Sequence, residues 1–152
     1  MEIKYLKKLE NFYNENPKIS KVGVSEQEIN KLEQELNIKL PIVYKEFLFL
    51  AGNGDSLLDS WERGFNYLDL MQINLKESMN EVNLHLNPFF VFEEYGNNQC
   101  QFFFLNENEN PPIYAYYEDK TEENGKEVYY KKTKNSFSEL IEKRIDYTLN
   151  QK

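Results

Sequence analysis

The chain has 152 residues, one cysteine, a formal net charge of -8, and 11 Phe and 11 Tyr against one Trp. A length of this order fits one domain, residues 1–152, burying roughly 70% of the surface its unfolded chain exposes, so the core needs no metal or disulfide. The acidic balance argues against direct nucleic-acid binding, because such a field repels phosphate backbones. No apolar run nears the ~20 residues of a membrane span, and the charged N-terminus lacks a signal-peptide apolar run. Cys100 alone makes no intrachain disulfide, so a reducing cytoplasm is the expected location.

From Met1 to about Asn14, Leu6, Leu9 and Tyr13 share one face at helical spacing, with Phe12 beside them, and Pro17 ends the pattern. Ser25-Glu26-Gln27-Glu28 is a capping box that opens a second helix with an Ile29, Leu32, Leu36 stripe. Pro41 suits the first turn of a third, which faces Tyr44, Phe47, Leu48 and Ala51 inward and stops at Gly52-Asn53-Gly54. Phe65–Leu70 reads as a first strand, and Leu75 to about Leu84 as a short helix carrying Met79 and Val82. Phe89–Phe92, Gln101–Leu105, Ile113–Tyr117 and Val128–Lys131 read as further strands. Gly96-Asn97-Asn98, the run to Pro111-Pro112, and Glu123-Asn124-Gly125 separate them. Such short breaks suit an antiparallel meander, since βαβ crossovers need a dozen or more residues. Ser136-Phe137-Ser138-Glu139 opens a closing helix with Phe137, Leu140, Ile141, Ile145 and Leu149 inward. The expected fold is α+β: about five mainly antiparallel strands, with helices from both chain ends packed against them.

The order of these signals resembles the SUKH superfamily. The carrying residues are Ser25 to Leu36, then Leu40-Pro41, Tyr44-Lys45-Glu46-Phe47-Leu48, Gly52-Asn53-Gly54 and the closing Ser136–Ile141 helix. The resemblance spans about residues 20–148, although the turn reads Gly-Asn-Gly where many relatives have Asn-Gly-Gly. It implies an immunity protein, which binds and neutralises a cognate bacterial toxin domain, often a nuclease. The alternative that it admits is a regulatory scaffold or interaction module without a toxin partner, as in a fungal relative.

Catalytic constellations are not evident. His85 stands without partners in sequence, and Cys100 precedes the apolar Gln101-Phe102-Phe103-Phe104, which suits a buried inert thiol. Glu93/Glu94 and Glu118/Asp119 are adjacent pairs, and neighbours on a strand point to opposite faces. Asn106 to Asn110 lacks the order of a calcium loop, and no Walker or dinucleotide motif is present. No catalytic residue, metal ligand or cofactor is therefore expected.

What remains suits binding. Residues 93–127 hold nine acids against Lys120 and Lys126, a net of -7. That field would attract a basic protein surface, or else serve only as a solvated acidic face. Glu93, Glu94, Glu107, Glu109, Glu118 and Asp119 are the candidates for steering a toxin. Trp61, Tyr95 and Tyr116 are the candidates for anchoring it. A homodimer through sheet edges or exposed aromatics stays open.

Overall fold

The computed structural model describes residues 1–17, 22–53, 65–81, 84–95, 99–123 and 126–150, with the backbone alone for 118–123 and 126–129. Gly54, Trp61, Val82, Gly96-Asn97-Asn98 and Asn124-Gly125, to which the sequence assigns roles, lie outside the described residues. The elements run α1 (Lys7–Glu15), α2 (Glu26–Leu36), α3 (Ile42–Ala51), a single 3-10 turn (Phe65–Tyr67), α4 (Leu68–Glu81), β1 (Phe89–Tyr95), β2 (Gln99–Phe104), β3 (Ile113–Glu123), β4 (Lys126–Lys134) and α5 (Phe137–Asn150). The four strands form one antiparallel sheet in the order β1-β2-β3-β4, so the fold is the α+β arrangement the sequence predicts.

One expected strand is absent: Phe65–Leu70 forms the 3-10 turn and the start of α4. The alternation of Phe65 and Tyr67 suggests a strand, but the buried residues Leu68, Met71, Leu75 and Met79 recur at helical spacing. Leu149, expected inward, is 47% exposed.

Local chemistry sets the helix ends. Ser25 Oγ accepts from the Glu28 amide at 3.3 Å, and the Glu28 carboxylate accepts from the Ser25 amide at 3.0 Å, a complete capping box. At α5, Ser136 Oγ accepts from the Glu139 amide at 3.2 Å, but the Glu139 carboxylate reaches past Ser136 to the Asn135 amide at 2.9 Å. Gly52 ends α3 in right-handed geometry, not the left-handed conformation that its turn suggests. Close approach dictates a glycine at position 23: a Cβ there would lie 1.8 Å from the Phe49 carbonyl oxygen. This lets Val24 donate to the Leu48 carbonyl at 2.9 Å and fixes the entry to α2 against α3.

The main core lies between α1, α3, α5 and one face of the sheet. Tyr44 sits at its centre, with ring centroids of Phe90, Phe103 and Phe137 within 5.2 to 5.4 Å. Burying side chains of this size contributes roughly 1.5–3 kcal/mol each. On the opposite face, α4 lays Met71, Leu75 and Met79 over Val91, Cys100, Phe102 and Tyr116. Gln72 joins α4 to β1: its Nε2 donates to the Val91 carbonyl at 2.7 Å, and its Oε1 accepts from the Val91 amide at 2.8 Å.

Candidate functional site

The acidic candidates divide by what surrounds them. Glu93, on β1, is almost fully buried, and Arg144 Nη2 of α5 donates to both its carboxylate oxygens. A charge so enclosed and neutralised ties helix to sheet and is not available for steering. Glu109 is exposed but accepts from Lys4 Nζ at 2.9 Å and from the Tyr5 hydroxyl at 2.7 Å. These hydrogen bonds hold the Glu109 carboxyl below the usual range and push the Lys4 ammonium up, so each partner screens the other. Glu107 is exposed and accepts from the Tyr114 hydroxyl at 2.9 Å, leaving its negative charge uncompensated by that bond. Glu94 pairs in register with Cys100, which puts it on the face of the sheet that α4 covers. Glu118 and Asp119 lie on β3, and only their backbone is described.

The anchoring candidates divide likewise. Tyr116 is fully buried beneath α4, so it belongs to the core and offers no surface to a partner. Its position on β3, paired with Cys100, puts its ring on the covered face. Tyr95 is 37% exposed, but its hydroxyl donates to Glu93 at 2.6 Å and accepts from Gln101 Nε2 at 2.7 Å. Burial of the ring and then the Glu93 charge push its hydroxyl upward, so it stays protonated.

Sequence reasoning missed a further group of rings. Where α4 ends, Phe89, Phe104, Tyr114 and Tyr130 form a half-buried band across the sheet. Phe104 and Tyr114 meet edge to face at 4.9 Å, and Tyr114 and Tyr130 lie 6.0 Å apart. The signal was present in the apolar runs, but which alternate residues escape α4 depends on where that helix stops. Burial, followed by the hydrogen bond to Glu107, pushes the Tyr114 hydroxyl up to about 12. Beside the band opens a groove of about 370 Å³, lined by Leu84, His85, Leu86, Pro88 and Phe89 among others, with no carboxylate among the described residues that line it.

Among the described residues three buried carboxylates serve local structure. Glu46 accepts from the backbone amides of Lys4, Tyr5 and Leu6 at 2.7 to 2.9 Å, pinning the approach to α1 onto α3. Glu33 accepts from the Leu40 amide at 2.6 Å, and Glu93 holds Arg144 as above. Burial and then Glu94 push the Cys100 thiol well above its usual range, so it is protonated and inert as a nucleophile. Among the described residues no three His, Cys, Asp or Glu side chains converge to hold a metal ion. No described helix is long and apolar enough to cross a membrane. The arrangement offers an aromatic surface with the exposed Glu107 carboxylate at its rim, which is chemistry for contact.

Comparison with protein-family models matches residues 23–143 to the SMI1 / KNR4 family (SUKH-1). No curated protein matches the chain.

Proposed function

The chain belongs to the SMI1 / KNR4 family (SUKH-1), and from that premise we propose that it is an immunity protein, a stoichiometric inhibitor of a bacterial toxin. The family match over residues 23–143 carries this reading. In it, residues 1–152 act as one SUKH-like domain without catalysis, cofactor or metal, held in the cytoplasm beside the toxin. Steering falls to the exposed Glu107, with Glu94, Glu118 and Asp119, towards a basic surface that would otherwise engage the toxin's substrate, a nucleic acid if the toxin is a nuclease. Contact falls to the aromatic band of Phe89, Phe104, Tyr114 and Tyr130, while Tyr95, in register with Gln99 on the other face of the sheet, is set apart from it. Glu93, Glu109 and Tyr116 leave the proposed contact set for the reasons of burial and pairing given above.

Co-expression with the toxin domain encoded in the neighbouring gene tests the reading. Rescue of growth and co-elution of the two proteins are expected. Survival of the toxin's activity in the presence of excess inhibitor would overturn it and favour a regulatory scaffold without a toxin partner.

A further inference from the structure

Helix α4 carries apolar residues on two sides. Leu68, Met71, Leu75 and Met79 face the sheet, while Leu70 and Ile73 are 44% and 53% exposed. Leu70, Ile73, Glu77 and Glu81 follow one another at helical spacing, so two bare apolar side chains continue into two carboxylates along one outward stripe. Neither Glu77 nor Glu81 makes an ion pair or hydrogen bond with a described residue. They sit towards the C-terminal, negative end of the helix, whose last turn has no basic residue. Elsewhere among the described residues Glu10, Glu35, Glu109, Glu139 and Asp146 each hold a lysine.

We propose that this outward stripe of α4 is a docking surface for a basic protein, one that presents an apolar side chain flanked by lysine or arginine. The apolar pair supplies contact area that folding leaves uncovered. The two carboxylates, unfavourable where they stand, gain a counter-charge only when a cationic partner arrives. A second copy gives the carboxylates no counter-charge: two such helices paired parallel would set each carboxylate against itself, and paired antiparallel would set Glu81 and Glu77 against the apolar Leu70 and Ile73. Lys76 lies off the stripe, on the flank that lines the groove with His85 and Phe89.

The proposal rests on the inhibitor reading and adds the outer side of α4 to the contact surface given there. Calorimetric titration of the full chain with the toxin domain encoded beside it separates the two. If the wild type binds, Leu70→Ser/Ile73→Ser is expected to weaken binding by about tenfold or more with an unchanged melting temperature. Glu77→Lys/Glu81→Lys is expected to slow association and flatten its dependence on salt. Tyr147→Ser, at an exposed aromatic on α5, serves as the control and is expected to bind as wild type. Wild-type affinity in both α4 variants overturns the docking surface and leaves the inhibitor reading standing. No binding by the wild type overturns both. A wild-type dimer in light scattering that Leu70→Ser/Ile73→Ser converts to monomer assigns the stripe to a second copy and overturns the proposal.

Discussion

Arg144 Nη2 on α5 lies 2.9 Å from one oxygen of the buried Glu93 carboxylate and 2.7 Å from the other. The pair joins the closing helix to β1, with the Glu93 side chain fully enclosed. Replacing Arg144 with Met should therefore cost about 3 kcal/mol of stability, because it strands a buried charge. Replacing both residues with apolar ones should cost less than the single change. Urea denaturation of the two variants makes the comparison.

Glu46 bears three amide hydrogen bonds from the segment that precedes α1. Glu46→Gln puts an amide group, itself a donor, among three donors. A loss of about 2 kcal/mol is expected, together with faster hydrogen exchange at Lys4, Tyr5 and Leu6 before any change in the sheet. Exchange measured by NMR locates the effect.

Acid should weaken the helix ends selectively. The Ser25 hydroxyl and then its amide hold the Glu28 carboxyl below its ordinary value, and Lys143 and then the Asn135 amide do the same for Glu139. Depressed values in the folded chain mean that the stabilisation is complete above the ordinary carboxyl value of 4.5 and is lost as pH falls through the lowered ones. Melting temperature should thus drop below about pH 4.5, and less steeply in Glu28→Gln. Ser25→Ala should cost about 1 kcal/mol at neutral pH. Calorimetry against pH reads both.

The band of rings makes a further prediction at the other end of the scale. Tyr114 should ionise near pH 12, well above its ordinary value of 10, and Glu107→Gln should bring it down. A raised value makes its contribution to stability complete below pH 10, to be lost as pH rises through about 12. Ultraviolet titration of the wild type against Tyr114→Phe isolates this group.

Much of the fold was legible because it is written locally. Ser25 and Glu28 announce their helix three residues apart, and β1 to β4 follow from apolar runs between turn residues. The 65–70 segment misled because Leu70 and Ile73 add apolar residues to the outer side of α4, blurring the helical period that Leu68, Met71 and Leu75 keep. The site was less legible, since burial of a carboxylate depends on donors far away in sequence. Glu93 finds Arg144 across 51 residues, and Glu46 finds its amides across about 40. A charge count over residues 93–127 treats Glu93 and Glu109 as free, although Arg144 and Lys4 have already answered them.

The hold of Gln72 on Val91 bears on how this sheet can be extended. Both backbone groups that Val91 turns away from β2 are occupied by one carboxamide, so an incoming strand finds no partner at the middle of β1. The other edge is β4, whose exposed Lys131 and Lys132 discourage pairing with a further strand. Two copies joined there would each present an obstructed β1 at the outside, so such growth would end at a pair and could not run on into a fibre.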